Sequence, residues 1–221
     1  MALTPHAEEY LEAIYRLGGQ DRPVPLGALA KNLDISVVSA NEMVHRLQEQ
    51  DLLRYTPYHG VLLQPDGLCE ALAVLRRHRL WERFLTDKLG FAWDTVHEEA
   101  CRLEHAASDR VTERLAEWLG DPDECPHGRP VPQPGCVLEP ESDAIRLSEL
   151  QVGQGGTVAY VASEEPELLR HLEHLDIQPH TSIVVEQVGP LDGPLTVRVN
   201  DRQQVVGHNV ALLVFVDRSS S

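Results

Sequence analysis

Metal-binding side chains occupy the apolar stripes of two helical patterns in the middle of the chain. The donors are His78 and Glu82 in the first pattern, and His97, Cys101, Glu104 and His105 in the second. Most of them recur at intervals of three and four residues, in step with leucines, on faces that would otherwise be buried. Buried imidazoles, thiols and carboxylates are costly unless they are paired or bound to a cation. Nitrogen, oxygen and sulfur donors at this spacing therefore predict a transition-metal site between helices.

The charge of the chain is unevenly distributed. Its net charge is −16, yet residues 1–80 hold 8 Lys/Arg against 10 Asp/Glu, whereas the remainder holds 11 against 25. A nearly neutral N-terminal third is compatible with a domain that approaches DNA with a locally positive face. The sequence has no apolar run long enough to span a membrane and no recognisable signal peptide. We therefore expect a cytoplasmic protein in which all four cysteines are reduced.

The N-terminal residues follow the order of a winged helix-turn-helix domain. Helices are predicted after Thr4-Pro5, over Leu26 to Leu33, and from a Ser36 cap to about Glu49, followed by two short strands. The start of the third helix would enter a major groove, and the candidate base-reading residues there are Ser36, Val38, Ser39 and Asn41. The candidate phosphate contacts are Lys31, Arg46, Arg54 and His59. Taken singly, each base-reading candidate is more simply explained as a surface residue of a capped helix.

The donor-bearing region is predicted to be helical and the C-terminal region to be a β domain. One helix is expected over about 68–89, ended by Gly90, and a second from an Asp94 cap to Leu119. Proline and glycine around residues 128–136 indicate a linker. Five short β-type runs and one helix over 165–174 then predict a small SH3-like barrel.

Three separated motifs in this sequence resemble the DtxR/MntR family of metal-dependent repressors. They are residues 77–85, residues 96–105 and residues 124–128, in the order found in that family. The resemblance covers essentially the whole chain and implies an α+β fold. Its parts would be a winged helix-turn-helix domain (1–66), a helical metal-binding and dimerisation domain (67–128), a linker (129–143) and an SH3-like, FeoA-like domain (144–221).

The same resemblance implies a homodimer that binds Mn(II) or Fe(II) and then the operator DNA of metal-transport genes. It implies two metal ions per subunit. It implies no catalytic activity and no small-molecule substrate. One site would draw on Glu9, Glu12, His78, Cys101, Glu104 and His105. The other would draw on Glu82, His97, Cys125 and His127, with a C-terminal acid among Glu164, Glu165 and Glu167, of which Glu165 is our choice. The allocation of His78 and His97 between the two sites stays open.

The choice of metal stays open as well, because two positions point in different directions. The carboxylate of Glu9 is typical of manganese-type members, whereas the thiol of Cys101 is typical of iron-type members. Hard oxygen donors favour Mn(II), and softer sulfur favours Fe(II) and later metals. Mn(II) is our expectation, with Fe(II) as the alternative.

Simpler structural roles compete with several of these assignments. Glu12 would pair with Arg16 one turn later, and Cys101 would serve as a small buried hydrophobe. Cys69 and Cys136 are interpreted as structural. The competing functional class is a metal-dependent hydrolase using the same helical donors. Against a hydrolase, the pattern that starts at His97 lacks the second histidine of a His-Glu-x-x-His motif.

Overall fold

The computed structural model describes residues 3–137 and 143–218, and it has a mixed α+β architecture. It divides into two compact units. The first comprises the residues up to His78, Leu103–Ser108 and the segment that begins at Pro132, and the second comprises Arg79–Arg102, Asp109–Val131 and the C-terminal domain. Within the described residues, no helix is long and apolar enough to cross a bilayer. The predicted linker at 129–143 lies partly outside the described residues.

The N-terminal domain has the predicted winged helix-turn-helix order. Its elements are α1 (Pro5–Arg16), α2 (Leu26–Asn32), α3 (Val37–Glu49), β1 (Leu53–Thr56) and β2 (Gly60–Leu63). The hydroxyl of Thr4 accepts from the Ala7 N–H and Ser36 accepts from the Ser39 N–H, so the caps predicted at these two residues are present. The strands pair in antiparallel register from Leu53–Leu63 to Thr56–Gly60. The core of this domain is formed by α1, α2 and α3 together with Val61 of the wing.

The predicted length of the second donor helix is wrong. The first donor helix, α4 (Pro65–Leu89), agrees with the prediction and is followed by Gly90 at φ +72°. The second is divided into α5 (Val96–Glu104) and α6 (Asp109–Leu119). After Glu104 the Ala106 N–H bonds to the Leu103 carbonyl, which makes a turn. Ser108 and Asp109 are of the types that favour helix starts over helix interiors, so the chain begins a new helix there.

The C-terminal domain is built on a six-stranded antiparallel sheet. Its elements are β3 (Ile145–Arg146), a 3-10 turn (Leu147–Glu149), β4 (Gly155–Val161), α7 (Pro166–His174), β5 (Ser182–Val188), β6 (Leu195–Val199), β7 (Arg202–Val206), α8 (His208–Ala211) and β8 (Val214–Arg218). The strand order is β3-β8-β4-β5-β6-β7. Alternate residues of β5 and β6, such as Ile183, Val185 and Val197, are buried in one core with Leu169 and Leu172 of α7. Sequence patterning missed β3 and α8, which are very short.

The expectation of four reduced cysteines is wrong for one pair. Cys69 of α4 and Cys136 form a disulfide across 67 residues of sequence, with their Cα atoms 4.8 Å apart. Cys101 and Cys125 are outside any disulfide. No local pattern indicates this pairing, because it depends on the chain returning to the start of α4 after α6.

Candidate metal centres and nucleic-acid interface

The first cluster of donors consists of Glu12 of α1, His78 of α4 and Glu104 at the end of α5. All three side chains are buried, and one potential ligand atom from each lies within 4.8 Å of the others. The Nδ1 atom of His78 is 2.6 Å from an Oε atom of Glu104. Glu12 also accepts from Arg16 at 2.9 Å, so the simpler pairing inferred from the sequence exists beside the cluster. Two carboxylates and one imidazole offer a mainly hard donor set.

His105 joins this cluster to further acids on α1. Its Nδ1 is 2.7 Å from Glu8, and its Nε2 is 3.2 Å from Glu104 and 3.9 Å from Glu9. Glu8 also pairs with Arg77 of α4 at 2.7 Å. Glu9 is about half exposed and contacts His6. Sequence analysis missed Glu8, although Glu8 and Glu12 are four residues apart and therefore share one face of α1.

The electrostatics of the first cluster favour a cation. The Glu104 carboxylate raises the pKa of His105 to about 9, and Glu8 adds to this effect against the opposing effect of burial. Burial tends to raise the pKa of Glu104, but hydrogen bonds from His105 and His78 outweigh burial and lower that pKa. In the metal-free cluster an imidazole therefore carries a proton, and a bound metal ion would displace that proton.

The second cluster consists of Glu82 of α4 with Cys125 and His127. All three are buried, and their potential ligand atoms lie within 4.8 Å of one another. Nδ1 of His127 is 3.3 Å from Glu82 and 3.9 Å from the Cys125 sulfur. Unlike the first cluster, this one contains sulfur.

His97 extends the second cluster towards an acid of the C-terminal domain. Its Nδ1 lies 2.8 Å from Glu164 and 3.8 Å from Glu82, and its Nε2 lies 3.5 Å from the Cys101 sulfur. Glu165, our choice from the sequence, is exposed and occupies the cap position of α7. The acid that faces His97 is therefore its neighbour, Glu164.

A tight loop presents Cys125 and His127 to Glu82. The Cys125 N–H bonds to the Arg129 carbonyl, and the Val161 N–H of β4 bonds to the His127 carbonyl. Gly128 has φ +79°, and a Cβ there would be 2.0 Å from the Ala159 carbonyl oxygen, so only glycine fits. Nε2 of His127 lies 2.8 Å from the Trp93 carbonyl, which accepts its proton. That bond leaves Nδ1 of the neutral ring as the donor atom for a cation.

Both histidines of the second cluster hold protons strongly in the absence of metal. Burial opposes protonation of His97, but Cys101, Glu164 and Glu82 together raise its pKa to about 11. Burial likewise opposes protonation of His127, whereas Cys125 and Glu82 raise its pKa to about 11. The surrounding groups therefore stabilise positive charge at two points of this cluster.

The candidate DNA-reading residues lie at the start of α3. Ser36, Val38 and Ser39 are exposed, and the two serine hydroxyls are 2.9 Å apart. Asn41 is half-buried, so it presents less of its amide than the sequence suggested. Lys31, Arg46, Arg54 and His59 are all exposed. Sequence analysis did not single out Tyr58, which is fully exposed at the tip of the wing with φ +66°.

An apolar groove lies between α4 and α6. Its volume is about 670 Å³, and its lining includes Trp81, Phe84, Val111, Leu115 and Trp118. Phe84 contacts both tryptophan rings at centroid distances of 5.6 and 5.7 Å. Trp118 is 61% exposed and Val111 is 48% exposed. Clustered large apolar side chains in solvent are typical of an interface between proteins.

Comparisons with known protein families match all three regions of the chain. Residues 2–61 match the model described as iron dependent repressor, N-terminal DNA binding domain. Residues 64–133 match iron dependent repressor, metal binding and dimerisation domain, and residues 145–218 match the FeoA domain.

Individual relatives are similar over most of their length. The iron-dependent repressor IdeR of Mycobacterium tuberculosis is 33% identical over 98% of both chains. The diphtheria toxin repressor of Corynebacterium glutamicum is 38% identical over 69% of this chain and 68% of its own. A solved structure described as a manganese-dependent transcriptional repressor in complex with manganese has a TM-score of 0.87 at 32% identity, covering 96% of this chain and all of that one. The chain therefore belongs to the DtxR/MntR family of metal-dependent transcriptional repressors.

Proposed function

We propose that this protein is a cytoplasmic, homodimeric repressor that binds operator DNA of metal-transport genes when Mn(II) is bound, with Fe(II) as the alternative metal. The observation that carries the proposal is the pair of buried donor clusters in a chain that also has a winged helix. Members of this family are DNA-binding regulators and not hydrolases, so the competing functional class is set aside. The proposed domains are 1–66, 67–128 and 144–221, with a linker at 129–143.

The proposed ligands form two sites per subunit. The first site comprises Glu12, His78, Glu104 and His105, with Glu9 at its exposed edge and Cys101 as a further candidate. The second comprises Glu82, His97, Cys125 and His127, with Glu164 in place of Glu165. The carboxylates of the first cluster favour Mn(II), whereas the sulfur in the second tolerates softer metals. In each cluster a bound cation would take over the charge balance that protonated histidines provide in the metal-free protein.

The first site offers a direct link between metal and DNA binding. Glu12 belongs to α1 of the DNA-binding domain, whereas His78 belongs to α4 and Glu104 ends α5. A bound cation supplies positive charge that all three can share. The contacts of Glu8 with Arg77 and His105 would then hold α1 in one position relative to α4. Because α1 packs in the same core as α3, this position also fixes the recognition helix.

The apolar groove between α4 and α6 is the proposed dimer interface. It lies within the region that matches a metal binding and dimerisation domain. Pairing two copies through Trp81, Phe84 and Trp118 would remove large exposed apolar side chains from water. A dimer would present two α3 helices to successive major grooves and double the small number of phosphate contacts.

The test is binding of the purified protein to its own upstream promoter DNA, titrated with Mn(II), Fe(II) without oxygen, or Zn(II) in reducing buffer. A scrambled duplex of equal length serves as the control. We expect sequence-selective binding that appears with Mn(II) or Fe(II) and disappears with a chelator.

Asn41→Ala should relax preference at particular base pairs, by about 1–3 kcal/mol each. Lys31→Ala should weaken binding to both duplexes and lower the salt dependence. Metal-independent or unselective binding would overturn the proposal.

A further inference from the structure

The disulfide between Cys69 and Cys136 fastens a surface segment to the start of α4. Cys69 lies in the second turn of the helix, directly after the wing, and Cys136 lies in the turn that follows Gly135. A second contact supports the same attachment, because Arg76 donates to the Pro132 carbonyl at 3.0 Å. Gln133, Pro134, Gly135 and Val137 around the bond are exposed. The segment therefore has little other packing to hold it.

The bond is open to attack by thiols from solution. Cys136 is exposed, whereas Cys69 is half-buried, so Cys136 is the more accessible residue of the pair. The same chain carries Cys101 and Cys125 outside any disulfide, and both stand among the metal donors. A cysteine binds metal only as a reduced thiolate. Under the proposed function, therefore, the protein works in surroundings where thiols are not fully oxidised. Under those conditions an exposed disulfide exchanges with the surrounding thiols, and its oxidation state follows theirs.

The loop that the disulfide closes contains nearly all the proposed metal ligands. Residues 69–136 include the proposed ligands of α4, of α5 with the turn that follows it, and of the Cys125–His127 loop. The exceptions are the acids of α1 and Glu164. Cross-linking the ends of a long loop restricts the conformations of the unfolded chain. The disulfide therefore favours the ordered state of the residues between Cys69 and Cys136.

We propose that Cys69 and Cys136 form a reversible redox site that sets how much metal the repressor needs. The link to metal rests on the proposed function. In the oxidised protein the loop is ordered before metal binds, and the apparent metal affinity is high. In the reduced protein part of the population has a disordered loop, and the apparent affinity falls in proportion to the ordered fraction.

Both directions of the reaction balance with ordinary reactants. In oxidation by hydrogen peroxide, the Cys136 thiolate attacks one oxygen, which gives a sulfenic acid and, after protonation, water. The Cys69 thiol then attacks that sulfur and expels a second water, so two thiols and one peroxide become one disulfide and two waters. In reduction, a low-molecular-weight thiolate attacks the Cys136 sulfur and releases Cys69. A second low-molecular-weight thiol attacks the mixed disulfide and leaves as the small disulfide, so one protein disulfide and two thiols become two protein thiols and one small disulfide.

The first experiment uses the full metal-free protein in glutathione buffers of graded redox ratio, without DNA. Differential alkylation and peptide mapping report the state of each cysteine, and a thermal scan reports stability. We expect a 69–136 linkage whose fraction changes with the buffer. The melting temperature should be higher by about 5–10 °C in the oxidised form, since the cross-link restricts the unfolded chain over a long loop. The double variant C69S/C136S should melt like the reduced wild type in every buffer.

The second experiment measures Mn(II) affinity by calorimetry in the oxidised and reduced wild type. We expect affinity about 2–3-fold higher in the oxidised protein, as when about a third to a half of the reduced population is ordered, and no redox dependence in C69S/C136S. Reduced wild type serves as the comparison if the variant does not fold. The proposal is overturned if both cysteines stay thiols in every buffer, if the bond resists thiols in the folded protein, or if melting temperature or Mn(II) affinity is the same in both states. Because the first experiment needs no metal or DNA, a failure there is distinct from a failure of the repressor function.

Discussion

The two donor clusters of this protein differ in chemistry and in the way the chain assembles them. The first takes two carboxylates and an imidazole from helices α1, α4 and α5. The second takes a carboxylate from a helix but its sulfur and imidazole from a loop fixed to β4 through Gly128. Periodicity decides which face of its helix each donor of the first cluster occupies, and packing of the three helices brings them together. The loop donors of the second cluster have no such periodicity and depend on the contacts that hold the loop. We infer that the first cluster responds to hard metal ions and that the second depends on the C-terminal domain.

The largest expected effect comes from removing a shared carboxylate of the first cluster. Glu104→Gln keeps the shape of the side chain but removes its charge, so metal-stimulated promoter binding should be lost. Loss of groups that merely orient ligands costs roughly 10–100-fold in metal affinity, and a ligand should cost at least as much. Calorimetry with Mn(II) and promoter binding measure the change. Glu149→Gln, at an exposed position of the 3-10 turn in the C-terminal domain, is the matched control, and an unaltered Mn(II) response in Glu104→Gln would remove this residue from the site.

Loss of sulfur should affect the second cluster selectively. Cys125→Ser replaces a soft donor by a hard, neutral one, so binding of Co(II) or Zn(II) at that site should weaken by about 10–100-fold. Mn(II)-stimulated promoter binding should change less than in Glu104→Gln. The thiolate-to-Co(II) absorption band reports sulfur coordination directly, and Cys101→Ser is the parallel variant for the other candidate thiol. Retention of the full band in Cys125→Ser would contradict the assignment.

Adjacent acids in the C-terminal domain provide a sharper comparison. Glu164 contacts His97 at 2.8 Å, whereas Glu165 is exposed. Glu164→Gln should weaken metal binding at the second site by about tenfold, while Glu165→Gln should leave it unchanged. Calorimetric titration of both variants in parallel measures the difference. Equal effects would mean that the C-terminal domain does not contribute its acid through this contact.

The smallest expected effect is a pH dependence of stability in the metal-free protein. The pKa values of His105 (about 9), His97 and His127 (about 11) lie above the ordinary 6.5 for histidine. Their contribution to stability is therefore complete below about pH 6.5 and is lost as the pH rises through 9 and then 11. The melting temperature should fall by a few degrees from pH 7 to pH 10. In His127→Gln the fall above pH 9 should be smaller, whereas His59→Gln on the wing should behave as wild type.

Metal binding should show the opposite pH dependence in the same range. A metal ion displaces the protons held by these histidines, so affinity should increase as the pH rises. Calorimetry in buffers of different ionisation enthalpy counts the protons released. Release of none at pH 7 would contradict the binding of metal at either cluster.

Local sequence was enough to predict the first four helices, the Thr4 and Ser36 caps and most of the candidate donors. Thr4-Pro5 and Ser36 begin helices by hydrogen bonding to nearby backbone, and the three- and four-residue spacing identified His78, Glu82, His97 and Glu104. These features depend on residues within one or two turns of each other, so one sequence is enough to predict them. Family motifs in the chain extended the prediction to Cys125 and His127, which periodicity would not have found.

Tertiary structure decided the features that join distant segments. The selection of Glu164 over Glu165 depends on how the chain turns before α7, and the place of Glu8 beside Arg77 and His105 depends on the packing of α1. The Cys69–Cys136 disulfide and the end of α5 at Glu104 also lacked a reliable local signal. In each case neighbouring residues have nearly equal local preferences. The choice between them is made by contacts across tens of residues, whose geometry exists only once the chain has folded.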